Sequence, residues 1–306
     1  MKISILTSTY NRAKLLDKLY TSILINKNEA NCDIEWLIMD DGSSDNTKMI
    51  VENYIKERII DIKYFYQENK GKMAAINELV KKSTGDLILE CDSDDFFTTR
   101  AFKIIEESLE KCKDMGNTYA MVFLKYDQNG KNMGNNFPED NYESTMFNLY
   151  FKEGITGEKA LVFNGVIRRK YSYKLENGEK FVTEARLHHE MDLEYNIKCF
   201  NEPIMICEYK EDGYSKNVNK LFLSNPYGYY QYFKEIFNQD MKNVTSKKRL
   251  YVYKHYILFS VLTGQKYPIK NVNGILNKIM VAVLYIPGKI MTNIKLKKWI
   301  DIYSII

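Results

Sequence analysis

The first 125 residues alternate two hydrophobic periodicities, and no other feature of the chain constrains its fold as strongly. Short uninterrupted apolar runs stand at ISILTS (3–8), IEWLIMD (34–40), IKYFY (62–66), DLILECD (86–92) and YAMVFLKY (119–126). Between them, apolar residues recur three and four apart. Leu15, Leu16, Leu19, Tyr20, Ile23 and Leu24 mark one helical face, with Asn11 as its expected N-cap. Phe102, Ile105, Leu109 and Cys112 mark another, and further helices fall around 49–55 and over KMAAINELVKKS (72–83), closed by Gly85. Strands that are apolar throughout need cover on both faces. Short right-handed connections then predict an α/β fold with a doubly wound, mostly parallel sheet. In such sheets ligands bind outside the carboxyl ends of the strands, and four polar clusters sit there: 7–11, 40–45, 68–72 and 92–95.

Composition removes several function classes. Lys and Arg total 44 against 40 Asp and Glu, a net charge of +4, so the chain has no bulk polyanion-binding character and nucleic acid is not an expected partner. Five cysteines without a CxxC pair argue for a reducing compartment and against a disulfide scaffold or zinc site. MKISILTSTYNR has too short an apolar run for a signal peptide and reads as a first strand. No GxGxxG or GxxxxGK[ST] occurs, which disfavours a dehydrogenase or a P-loop NTPase.

The acidic cluster, LILECDSDDFF (87–97), carries the sharpest chemical signal. Asp92 and Asp94, spaced i, i+2 at the end of a buried strand, can aim oxygens at one hard cation such as Mg²⁺ or Mn²⁺. Phe96 and Phe97 break both an EF-hand loop and the DxDx[TV] phosphatase pattern. In IMDDGSSDNT, Asp40 and Asp41 can accept hydrogen bonds from a ribose or a base, or else cap the following helix. Tyr10 in STYNR offers a flat face to a base, and Thr7 and Thr9 offer hydroxyls; an ordinary strand-to-helix turn reads the same way. Lys70 and Lys72 flank a glycine at a helix start, where backbone N–H groups suit phosphate. His188 and His189 have no spaced partner and read as structural.

Together, TSTYNR, IMDDGSSDNT, ENKGKMAAIN, STGDLILECDSDD and TGEKALVF resemble the family 2 glycosyltransferases, inverting enzymes of the GT-A fold, over roughly residues 1 to 215. The resemblance implies a nucleotide-sugar site on Thr7, Thr9, Tyr10, Asn11, Asp40, Asp41, Lys72, Asp92 and Ser93. It implies a Mn²⁺ or Mg²⁺ on Asp94 and Asp92, with Asp95 in support. The donor would be a UDP-sugar, and the acceptor a glycan or lipid-linked glycan of the cell surface. The family's general base is the Asp of a Glu-Asp pair. Here KFVTEARLHHEMDLEY has Glu184 followed by Ala185, so Glu184 becomes the expected base, with Asp192 and Glu190 as fallbacks. EYKEDGYSK resembles YRxHGxxxS with Asp212 in place of the His, a further hard oxygen for the metal. A nucleotidyltransferase would need a Gly-rich basic signature that TSTYNRAK lacks. Ala185 keeps open a non-catalytic nucleotide-sugar or glycan-binding module.

The expected division is a catalytic unit over 1–215 and a helical, basic and apolar extension over 216–306. Residues 127–160 read as a loop able to lie over the site, and PYGYYQYF (226–233) as an interface or a core. The tail carries Lys278, Lys289, Lys295, Lys297 and Lys298 against one acid, Asp301. Its unbroken apolar run, 279–287, falls short of the roughly 20 residues that span a bilayer. An interfacial segment at the inner face of a cell membrane and helices packed on the main unit both fit it. The expected location is the cytoplasm, peripheral to the inner face of the membrane in the first of these readings.

Overall fold

The computed structural model describes residues 1–208 and 218–303. Its first half runs β1 (Lys2–Thr9), α1 (Leu16–Glu29), β2 (Asp33–Asp40), α2 (Thr47–Glu57), β3 (Asp61–Tyr66), α3 (Lys72–Lys82), β4 (Leu87–Glu90), β5 (Phe96–Phe97), α4 (Ala101–Cys112) and β6 (Thr118–Asp127). Then come β7 (Tyr142–Ser144), α5 (Met146–Phe151), β8 (Lys159–Asn164), α6 (Gly165–Arg168), α7 (Glu184–Met191) and β9 (Asn196–Cys207). Four α-helices close the described chain: α8 (Val218–Ser224), α9 (Pro226–Glu235), α10 (Ser246–Leu262) and α11 (Ile275–Tyr303).

The strands form one sheet in the order β3-β2-β1-β4-β8-β6-β9-β5, with β7 paired to β9. The expected parallel block is present as β3-β2-β1-β4, and β8 enters antiparallel between β4 and β6. Alternate side chains of β2 show why its run is apolar throughout. Ile34, Trp36 and Ile38 join one core with α1, α2 and α4, while Leu37 and Met39 join a second core on the other face with α3 and the later helices. Chain order reverses between β1 and β4, so a crevice opens at their carboxyl ends. The polar clusters therefore meet at one edge.

Two expectations change, and one open reading is decided. Asn11 is not a helix cap: α1 begins five residues later without a side-chain cap. Asn11 instead takes the left-handed conformation, φ 52°, which Asn tolerates, and its Oδ1 accepts from the Ser44 backbone N–H at 2.8 Å. Residues 127–160 are not an open loop, because β7, α5 and the start of β8 lie within them. The tyrosine-rich stretch is core: Tyr229, Tyr230 and Phe233 are buried among Phe222, Tyr256 and Phe259. The five cysteines are free and buried.

The tail also differs. α11 contains a 20-residue stretch, Ile275–Ile294, long and apolar enough to cross a membrane by length and composition. The shorter run 279–287 concealed it, because helical continuity through Lys278, Pro287 and Lys289 is not visible as an unbroken apolar string.

Candidate active site

A cleft of about 1170 Å³ lies over the carboxyl ends of β1, β2 and β4. Its lining combines polar and charged residues, among them Tyr10, Asn11, Arg12, Asp41, Lys72 and residues 92–95, with aromatic ones: Tyr150, Phe151, Phe163, Phe181, Tyr232 and Tyr251, and with His188 and His189.

The acidic loop has counter-charges that its local sequence hides. Lys72, at the first turn of α3, places Nζ 2.7 and 2.9 Å from the two carboxylate oxygens of Asp92. The same Nζ lies 3.3 Å from Glu184 at the start of α7. Burial alone would discharge this lysine, but Asp92 and then Glu184 reverse the effect and hold it charged. Lys125, near the end of β6, pairs with Asp95 at 2.8 Å and approaches Glu158 at 3.9 Å. Asp92 is kept low despite burial by Lys72 and Lys125. Asp94 shares no such lysine among the described residues. Its burial, together with the charges of Asp92 and Asp95, pushes its carboxyl up to about 6.

Eight carboxylates and five cationic side chains line the cleft among the described residues. A diphosphate entering such a surplus of negative charge would be repelled, and a divalent cation on Asp92 and Asp94 relieves both repulsions. No three metal-ligating side chains converge among the described residues. A Mg²⁺-like ion suits that arrangement, since it commonly takes one or two carboxylates and completes its shell with phosphate oxygens and water. The hard-oxygen donor set and the carboxylate repulsion at Asp94, only partly offset by Arg12, thus fit Mn²⁺ or Mg²⁺. Asp212 lies outside the described residues.

The remaining expected site residues divide into lining and support. Tyr10 is half exposed and Ser93 reaches the cleft. Asp41 lines the cleft, yet its oxygens accept from Lys70 N, Gly71 N and Gln67 Nε2 at 2.7–2.8 Å. The backbone N–H groups of Lys70 and Gly71, expected to be free for phosphate, are therefore taken by Asp41. Gly71 is forced there: φ is 91°, and a Cβ would lie 2.3 Å from the Lys180 carbonyl. Asp40 is buried below the cleft, accepting from Ser43 N at 2.7 Å and Tyr64 Oη at 2.7 Å. Thr7 is likewise a support, its Oγ1 accepting from Trp36 Nε1 at 3.0 Å. Thr9 is buried beside them, its hydroxyl unpartnered among the described residues.

Neither fallback base reaches the cleft. Asp192 is buried elsewhere, where it accepts from Tyr119 Oη at 3.0 Å and from the Met146 and Phe147 N–H groups at 3.1 and 2.8 Å. It holds the start of α5, which is a structural task. Glu190 pairs with Lys174 at 2.6 Å, away from the cleft lining. Glu184 alone of the three lines the cleft. Both histidines line the cleft yet are buried: burial, aided by Arg168 at His188 and by His188 at His189, pushes them down to about 3, which leaves them neutral.

Sequence reasoning missed Lys125 and Glu158, and the layer beneath the loop. There Glu90 accepts from Arg168 Nε and Tyr173 Oη, each at 2.7 Å, and Arg168 is fully buried. The one available signal was Lys125 itself, a charge closing the apolar run YAMVFLKY. Nothing local marked the aromatic wall.

A doubly wound α/β sheet with a carboxylate-lined crevice at its switch point defines the class of fold, and comparison with known proteins places the chain within it. Residues 4–174, more than half of the 306, match the model for Glycosyl transferase family 2, and the chain belongs to that family. It is 28% identical over 238 residues to an uncharacterized glycosyltransferase of Mycoplasma pneumoniae, covering 68% of this chain and 77% of that protein. It is 35% identical over 124 residues to the GalNAc(5)-diNAcBac-PP-undecaprenol beta-1,3-glucosyltransferase of Campylobacter jejuni, covering 40% of this chain and only 37% of that one. Among solved structures, S. aureus TarS 1–349 in complex with UDP-GlcNAc superposes with a TM-score of 0.59 at 15% identity, over 97% of this chain and 92% of that one. The mannosyltransferase PcManGT of Pyrobaculum calidifontis, in complex with GDP-Man and Mn²⁺, gives 0.53 at 14% identity, over 95% and 83%. The fold is GT-A, and the chain is a glycosyltransferase.

Proposed function

We propose that this glycosyltransferase moves a sugar from a UDP-linked donor to a hydroxyl of a glycan or lipid-linked glycan of the cell envelope, with inversion. The carrying observation is the junction at Lys72, which touches Asp92 on the charged side of the cleft and Glu184 on the acceptor side. Tyr10 lies against the base, and Asp41 and Ser93 border the ribose. Lys72 faces the diphosphate. Asp92 and Asp94 would hold Mn²⁺ or Mg²⁺, which supplies Lewis-acid stabilisation of the leaving diphosphate. Glu184 accepts the proton of the acceptor hydroxyl as its oxygen bonds to the anomeric carbon. The bond from that carbon to the diphosphate breaks, and a nucleoside diphosphate leaves with the electron pair.

In this reading residues 1–215 bind the donor and carry the chemistry, while 216–306 shape the acceptor side. The enzyme works in the cytoplasm at the inner face of the membrane, where lipid-linked acceptors reside. A relative acting on an undecaprenol-linked glycan and a fold neighbour bound to UDP-GlcNAc support the reading.

Calorimetric titration of UDP, GDP and CDP, each with and without Mn²⁺, tests it, followed by hydrolysis of the matching nucleotide sugars. UDP binding strengthened by Mn²⁺, with slow donor hydrolysis, is expected. Asp94→Asn should lower that hydrolysis by about 10²–10³-fold, the usual loss when one electrostatic contact to a leaving group is removed. A fully active variant would sink the metal assignment. Binding without turnover of any donor would return the chain to the binding-module reading.

A further inference from the structure

α11 carries a surface that neither the sheet nor the cleft explains. Ile275, Leu276, Ile279, Met280, Val283, Ile286, Ile290, Met291 and Ile294 are all exposed, eight of them by more than half. At 100° per residue they fall within one contiguous face, about 29 Å long at 1.5 Å per residue. The opposite face is occupied. Val281 and Thr292 are buried, Gly288 lies against Ile257 of α10, and Asn277 Oδ1 accepts from Tyr253 Oη of α10 at 2.7 Å. Lys278 and Lys289 fall on the strip between these two faces. This is the cross-section of a helix lying along a membrane surface, with apolar residues down, lysines at the headgroup level and the rest of the protein above.

We infer that this stripe seats the chain on an anionic lipid bilayer, with α11 in the membrane plane. The inference rests on the proposed lipid-linked acceptor and names the surface that would bring the enzyme to it. Charge selects the occupant: five lysines and one acid lie in 275–303, which attracts anionic headgroups. A two-fold contact between copies would instead bring those lysines together. Spanning is opposed by α10, which holds the other face of α11 and would carry Lys247, Lys248, Arg249 and Lys254 into hydrocarbon. α10 also contributes Tyr251 to the cleft, so a seated α11 lies one helix away from the acceptor side.

The test uses the full chain with vesicles of phosphatidylcholine alone and of phosphatidylcholine mixed with phosphatidylglycerol. Sedimentation with the anionic vesicles is expected, and alkaline carbonate should release the bound protein. Replacing three stripe residues together, Val283→Glu, Ile286→Glu and Ile290→Glu, should weaken the partition by at least about ten-fold. Lys278→Glu with Lys289→Glu should abolish the preference for phosphatidylglycerol. UDP binding, read by calorimetry, should not move in either variant. No vesicle binding, unchanged binding by the triple variant, or retention after carbonate would each overturn the inference. So would a wild-type dimer that the triple variant dissolves. Vesicle binding without UDP binding would instead remove the donor reading and leave the surface standing.

Discussion

The two parts of the cleft are built from opposite materials. Side chains from the ends of β1, β2 and β4 meet as charges, and most carboxylates already have a partner. From α5, α9 and α10 come aromatic rings, and the two histidines that α7 adds beside them are uncharged. Under the proposed function, the charged lining would hold the donor's diphosphate through a cation and Lys72, and the aromatic lining would pack on the C–H faces of an uncharged sugar ring. In the proposed function the chemistry falls where Lys72 meets both Asp92 and Glu184.

The change expected to break this comparison most severely is Glu184→Gln. It keeps the side chain's shape and removes the proton acceptor, so hydrolysis of a bound UDP-sugar should fall by about 10²–10⁴-fold. UDP affinity should stay within about two-fold, because the glutamate is placed on the acceptor side. UDP release measured under saturating donor decides it. A variant that keeps most of its rate would remove Glu184 from the mechanism, and one that loses UDP affinity equally would merge the two sides.

A smaller effect should sharpen the contrast from the aromatic side. Tyr251 is half exposed, so Tyr251→Ala has little core to disturb. Loss of one stacking face is worth about 1 kcal/mol, or a several-fold rise in the concentration of glycan acceptor needed for half-maximal transfer. Donor hydrolysis by water should not change. Equal loss of both would mean that Tyr251 supports the whole cleft rather than one side of it.

The same contrast explains what could be read from sequence. The donor side was legible because each cluster is local: a buried strand ends, and within five residues the chain shows what it offers at the edge. Asp92, Asp94, Tyr10 and Lys72 were found that way. Partner choice within the clusters was not legible. Asp40 and Asp41 are adjacent in sequence, yet Asp41 reaches the cleft while Asp40 turns inward to Tyr64 and Ser43. The aromatic side was illegible for a different reason. Tyr150, Tyr232 and Tyr251 come from three helices distant in sequence, and each looks like any core aromatic until tertiary packing gathers them. Asp192 shows the converse: a carboxylate close in sequence to Glu184 that packing turned away, to hold the start of α5.

The smallest effect on activity, and a pure test of how the sheet treats carboxylates, lies away from the cleft. Glu35 on β2 is fully buried between strands. Burial would raise its carboxyl, but it accepts from Ser4 Oγ and Thr84 N, both at 2.6 Å, and pairs with Lys63 and Lys2 at 2.9 and 3.0 Å, so it is lowered to about 2. Asp94, at the cleft, is pushed the other way. A carboxyl whose folded value lies below its unfolded value of about 4.3 contributes stability above that pH. The contribution is lost as pH falls from about 4.3 towards 2. Glu35→Gln should therefore cost about 3 kcal/mol at pH 7, with the gap to wild type narrowing below about pH 4. UDP binding should be untouched. Urea denaturation of both proteins at pH 7 and near pH 3 measures this, and a gap of the same size at both would mean that Glu35 matters through shape and not through its charge.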